Sequence, residues 1–183
     1  LGCPLIQVPL IRNALLLLEL AGCDEAPVEM VSSALRSPFL GGFQEEQTGR
    51  ALVDAAIRKN GHLTTTLKEV YRACRRVGIE QCRGLRRGLA ALRRRKRTAA
   101  REPEFRSPAE WVGEFTLTLK ELDWPRGRQP DNAEYQACNR WFGLLEQLAS
   151  LDPVIGSGPE GGRSGRISRS AALARLRQLA SEA

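Results

Sequence analysis

The sequence predicts an all-α protein, a compact bundle of about seven or eight helices with no substantial sheet. Three observations carry that prediction. Leucine, alanine and arginine dominate and aromatic residues are sparse, and unbranched side chains lose little rotamer freedom in a helix. Helix-opening signatures recur at Thr66 with Glu69, Ser107-Pro108 with Glu110, and Asp131 with Glu134; each pairs a capping side chain with an acid three residues on. No convincing strand alternation is present: "FTLTLKEL" alternates for a few positions, but the cap before it and the leucines after it favour helix. A chain of 183 residues fits one domain, or one domain with an appended helix, and a single helical domain over 1–183 is expected.

The first helix is expected from Pro9 to Gly22, with Leu10, Ile11, Ala14, Leu15, Leu17, Leu18 and Ala21 covering most of its circumference, so it should lie centrally. The second runs from Pro27 to Leu35 on a stripe of Val28, Val31, Ala34 and Leu35, and stops before Pro38. The turn after it, "ALRSPFLGG", places Phe39 and Leu40 where polar residues are usual. Both should plug into the core, while Gly41-Gly42 reverses the backbone. A third helix is expected over Glu45 to Asn60, with Ala51, Leu52, Ala55, Ala56 and Ile57 inward and Gly61 closing it. The fourth opens at the Thr66 cap and ends at Gly78; His62, in the turn before it, reads as a surface loop residue. The fifth carries Ile79, Cys82, Leu85, Leu89 and Leu92 at helical spacing. After Ser107, Trp111, Phe115, Leu119 and Leu122 form one face; the helix opened by Asp131 runs through Leu151, with Tyr135, Trp141 and Phe142 as core anchors. A loop of glycine-rich composition spans 156–167, and a last helix over 168–183 buries Leu173, Leu176, Leu179 and Ala180.

Composition also excludes functions. The lone histidine nearly rules out a histidine metal site or a serine–histidine triad, and the glycine-rich loop lacks the strand and Gly-Lys-Ser/Thr of a phosphate cradle. Glu45, Glu46, Asp123 and Glu134 are scattered where helix surfaces or caps explain them, unlike the clustered carboxylates of a metal-dependent nuclease. No catalytic residue, no metal, no cofactor and no small-molecule ligand is therefore expected, and the chain reads as non-enzymatic. Cys3, Cys23, Cys74, Cys82 and Cys138 show no CxxC pairing, which suits reduced thiols in a cytoplasmic protein. "ALLLLELAGC" resembles a lipoprotein cleavage box, but Glu19 interrupts it, no basic segment precedes it, and it is too short to span a bilayer; no membrane partner is expected. The chain opens on Leu1 and its only methionine is Met30, which suggests a piece of something longer.

What remains is charge. The formal net charge is +7, and residues 83–101 hold a basic run without one acid: Arg83, Arg86, Arg87, Arg93, Arg94, Arg95, Lys96, Arg97 and Arg101. Arg83, Arg86 and Arg87 mostly avoid the leucine stripe, whereas Arg93 to Arg97 wrap around the helix in a way incompatible with burial. Guanidinium groups suit phosphate oxygens, and neutralising phosphates releases counterions, so these nine side chains are candidates for contacting a nucleic-acid backbone without reading its sequence. The same run also fits a self-repelling connector to Ser107 flanked by Glu102 and Glu104, and the overall charge also fits a merely solubilising surface.

"GCPLIQVPLIRNALLLLEL" and "VSSALRSPFLGGFQEE", with Ser107-Pro108, Trp111, Phe115, Trp124-Pro125, "DNAEYQ", Trp141, Leu144, Leu145 and "LASLD", resemble a family of bacterial DNA repair proteins related to AddB, a helicase-like nuclease subunit of double-strand-break processing. Arg126 departs from the family pattern, which tends to run Trp-Pro-Gly. The resemblance implies a parent chain with UvrD-like motor domains and a nuclease domain, of which this segment is a helical accessory insertion without ATPase or nuclease motifs. It implies DNA and the other domains of that parent as partners. An alternative function is a protein-interaction scaffold whose basic helix docks on an acidic partner or neighbouring domain.

Overall fold

A computed structural model describes residues 4–78, 80–99, 103–126, 130–151 and 165–183. Ile79, Arg101, Glu102 and most of the glycine-rich loop lie outside the described residues. The prediction of an all-α bundle holds. The described residues form eight α-helices, here α1 (Pro9–Gly22), α2 (Val28–Leu35), α3 (Phe43–Lys59), α4 (Leu67–Val77), α5 (Arg83–Ala99), α6 (Pro108–Glu121), α7 (Asn132–Ala149) and α8 (Arg169–Glu182).

Four extended segments of two or three residues accompany them: β1 (Glu25–Pro27), β2 (Thr64–Thr66), β3 (Phe105–Arg106) and β4 (Ile167–Ser168). β1 pairs antiparallel with β2, Ala26 opposite Thr65, and β3 with β4, Phe105 opposite Ser168. Each leads directly into the next helix, so the pairs fix where α2, α4, α6 and α8 begin.

This order repeats. Among the described residues both halves run helix, strand, helix, helix, strand, helix, from α1 to α4 and again from α5 to α8. The opening helix of each half crosses to the other: α1 packs on α6, α7 and α8 as well as α2, while α5 packs on α4 and, through the short turn Glu80–Cys82, on α3. The two equivalent turns, after α2 and after α6, meet in the middle. There the Gly41 N–H donates to the Leu122 carbonyl at 3.3 Å. A Cβ on Gly41 would run into the Asp123 side chain, so the close approach requires glycine.

Sequence determines these helices as expected at their starts. Thr66, Ser107 and Asp131 each accept the N–H of the residue three on, and the acids there return the bond. α1 is buried on nearly every side, including Leu10, Ile11, Ala14 and Leu18 at 0% exposure. Each large apolar side chain buried in this way contributes about 1.5–3 kcal/mol. Phe39 and Leu40 are buried as the turn required, Gly42 adopts a left-handed φ of 75°, and the Trp124–Pro125 bond is cis.

Two expectations are corrected. Tyr135 and Phe142 are 61% and 48% exposed; only Trp141 of the three anchors the core. The buried stripe of α7 is Cys138, Trp141, Leu145 and Leu148, and the two outer rings lie seven residues apart on a flank of the helix, about 100–120° round from Trp141. In α3 the inward residues are Glu46, Gly49, Arg50, Val53 and Ile57, while Leu52 faces solvent with Ala51 and Ala55. The helix turns a polar pair inward because two other segments need it, the turn at 40–41 and the start of α5.

Candidate nucleic-acid interface

The basic helix α5 is seated by Leu85, Leu89 and Leu92, all buried. At about 100° per residue, Arg83, Arg87 and Arg94 fall within about 40° of one another on the side opposite those leucines. Arg97 lies about 40° from Arg83 on the other flank. All four are exposed, and among the described residues none pairs with a carboxylate. Glu45 and Glu80 line the same open recess of about 590 Å³ as Arg83 and Arg87 without forming an ion pair with them.

The other candidates divide differently. Arg86 and Arg93 are half-buried, their guanidinium groups 5.7 and 5.0 Å from the ring centre of Tyr71 on α4. Arg95 and Lys96 point back toward the fold, which corrects the expectation that this stretch of α5 is free all round. Arg95 pairs with Glu114, with Glu121 at 3.7 Å. Lys96 donates to the Cys23 carbonyl and, at 3.1 Å, to Asp24. The reason is periodicity: five consecutive basic residues must cover the circumference of a helix, and two of them meet α1 and α6. Arg101 lies outside the described residues.

The N-terminus of α5 is held by a group that the sequence reading assigned to a helix surface or a cap. The Glu46 carboxylate accepts the N–H groups of Gly84 and Leu85, the latter at 3.1 Å, so it caps α5 from within α3. Arg50 completes the arrangement. Its Nε and Nη2 donate to Glu46 Oε2 at 3.2 and 3.0 Å, Nη1 donates to the Leu40 carbonyl at 3.4 Å, and Nη2 also reaches the Gly41 carbonyl. The pair is 2% and 4% exposed; burial pulls the Arg50 guanidinium below its ordinary pKa and Glu46 opposes that. Gly49, one turn along, lets α3 touch the Gln81 backbone, which a Cβ would overlap. α5 is therefore clamped at one end by Glu46 and at the other by Arg95 and Lys96, which fixes the direction of the exposed arginines along it.

Sequence reading missed a second row. On α4, Lys68, Arg72 and Arg75 recur at four- and three-residue spacing, with Arg76 beside them, and all four are exposed without a carboxylate partner among the described residues. The signal is present as spacing on an amphipathic helix, but no uninterrupted run advertises it. Tyr71 sits on the flank of α4 that faces α5, and Arg86 and Arg93 sit on the flank of α5 that faces α4.

A cleft of about 660 Å³ lies between the ends of α1 and α5, α6 and the start of α8. Its cations are engaged within the fold: Arg177 with Glu19, Arg95 with Glu114, and Arg169 on the Leu18 carbonyl at 2.7 Å. Among the described residues no cluster of His, Cys, Asp and Glu could hold a metal ion, and no helix is long and apolar enough to cross a membrane. Comparison with family models, curated proteins and solved structures finds no match.

Proposed function

We propose that this chain is a non-catalytic helical module that holds nucleic acid by its phosphate backbone on the exposed face of α5. The observation that carries the reading is the set Arg83, Arg87, Arg94 and Arg97. These are four exposed guanidinium groups along about 21 Å of one helix, none of them in an ion pair with a carboxylate among the described residues. Such groups bind phosphates electrostatically, gaining affinity from counterion release, and carry no sequence information. In keeping with the resemblance to AddB-related repair proteins, the module would serve as an accessory domain that grips DNA beside a motor. Fluorescence anisotropy with labelled DNA across a salt series tests this. Affinity should fall steeply with salt, and changing the four arginines to glutamine should weaken binding and flatten the salt slope. Binding indifferent to both would overturn the proposal.

One observation favours a second reading. Carboxylates of this fold already accept α5 cations, as Glu114 and Asp24 do, so an acidic surface on a neighbouring domain could accept the outer row as well. Absence of DNA binding together with salt-sensitive association with such a domain would select it.

A further inference from the structure

We infer that the cleft between α1, α5, α6 and α8 is a binding site for a small organic oxyanion, with the Arg169 guanidinium as its counter-ion. The inference goes beyond the proposed function and does not depend on what α5 meets on its outer face.

Burial holds both Arg50 and Arg169 below their ordinary pKa, and a cation drawn out of water needs a partner. Arg50 has one in Glu46, at 3.0 Å. Arg169 forms no ion pair with a carboxylate among the described residues. Glu114, the nearest carboxylate influence on it, is engaged elsewhere: one oxygen accepts from Arg95 and the other from Thr118 at 3.3 Å. Glu19 and Asp24, which also line the cleft, are taken by Arg177 and Lys96. An incoming anion would do for Arg169 what Glu46 does for Arg50.

Arg169 is nonetheless fixed in place. Its Nη2 donates to the Leu18 carbonyl at 2.7 Å, and its guanidinium lies 5.4 Å from the ring centre of Phe115. A Cβ on Gly22 would overlap Nη1, so glycine there admits the side chain. Nε and Nη1 have no hydrogen-bond partner among the described residues. A guanidinium held in position with donors unused is organised for an oxyanion before one arrives.

The cleft also has the size and lining of a small-molecule site. Its volume of about 660 Å³ falls within the roughly 300–1,000 Å³ usual for such sites. Leu92, Trp111 and Leu173 line it beside Arg169, which suits a ligand with an apolar body and one charged head. Cations outnumber carboxylates along its walls by five to four, so a single negative charge brings the site to neutrality.

Calorimetric titration at constant ionic strength tests this, with phenyl phosphate and benzoate as charged probes and benzyl alcohol as the neutral control. At least one charged probe should bind saturably at one site, with Kd of about 1 mM or below, and the alcohol should bind at least about tenfold more weakly. The tighter of the two probes identifies the head group. Arg169→Gln, checked for folding by circular dichroism, should weaken binding at least about tenfold. Arg83/Arg87/Arg94/Arg97→Gln, four positions outside the cleft, should bind like the parent. A second readout needs no variant: Cys23 also lines the cleft, so the bound probe should slow its reaction with iodoacetamide at least about threefold. Absence of saturable binding, equal binding by Arg169→Gln, loss of binding in the α5 variant, or unchanged Cys23 labelling each refutes the inference and leaves the proposed function standing.

Discussion

Replacing Arg50 with methionine is the sharpest test of how the basic helix is held. Arg50 is 2% exposed and neutralises a Glu46 that is 4% exposed, and its guanidinium ties the Leu40 and Gly41 carbonyls to α3. Methionine preserves most of the volume but leaves a buried carboxylate with only the Gly84 and Leu85 N–H groups. Removing one partner of a buried ion pair costs about 3–5 kcal/mol, and each orphaned carbonyl about 1 kcal/mol more. These overlap, so Arg50→Met should lose about 4–5 kcal/mol of a total near 5–15 kcal/mol. Glu46→Leu should cost a similar amount by stranding the guanidinium. The double variant removes both charges and should lose only about 2–3 kcal/mol, for the unsatisfied turn carbonyls and helix N–H groups. Urea unfolding followed by circular dichroism closes the cycle, with a coupling of at least about 2 kcal/mol expected between the two sites. An Arg50→Met loss under about 1 kcal/mol, or additive single losses, would falsify the view that this pair joins the turn to α5.

Two glycines should respond in opposite directions. Gly49→Ala should destabilise by about 1–3 kcal/mol, because its Cβ would overlap the Gln81 backbone. Gly143→Ala, whose Cβ meets open space in mid-helix, should gain about 0.5–1 kcal/mol; thermal melts should move down for the first and up for the second. Glu69 and Glu110 are held below the ordinary carboxylate range, chiefly by the backbone N–H of Thr66 and of Ser107. Their folded values lie below the unfolded ones, so this stabilisation is full above the normal range and fades as pH falls through the lowered values. Urea midpoints measured from about pH 6 down to about pH 3 should drop less for Glu69→Gln/Glu110→Gln than for the parent. Burial pushes the Cys74 thiol up to about 12, leaving almost no thiolate at neutral pH. Native labelling with iodoacetamide, read by mass spectrometry, should spare Cys74 while half-buried Cys23 reacts; early modification of Cys74 would show that its surroundings open.

Helix starts and the burial of Phe39 and Leu40 are legible in the sequence because their causes are local: a cap, an acid three residues on, two glycines after a proline. The orientation of α3 is not, because it is decided from elsewhere. Apolarity alone points Ala51, Leu52 and Ala55 inward, yet the carbonyls at 40–41 and the N–H groups at 84–85 require Glu46 and Arg50 on that side. Residue type alone makes Tyr135 and Phe142 core anchors, whereas the three- and four-residue spacing of Cys138, Trp141, Leu145 and Leu148 already marks the buried side of α7. The paired extended segments leave no signature because two or three residues cannot display a period. For the candidate interface, the basic run points to the helix, and helical geometry divides its members. Arg95 and Lys96 are turned away from solvent by the same rotation that exposes Arg94 and Arg97.

The crossing of α1 into the second half has a consequence for how the chain is made. When α1 leaves the ribosome, α2 soon follows, but α6, α7 and α8 must still be translated. About 160 residues separate the end of α1 at Gly22 from the end of α8 at Glu182. At about 5–20 residues per second, that is a wait of roughly 10–30 s. Throughout it a leucine-rich rod has nowhere to bury most of its sides, making the nascent chain a natural client for chaperones that shield apolar helices.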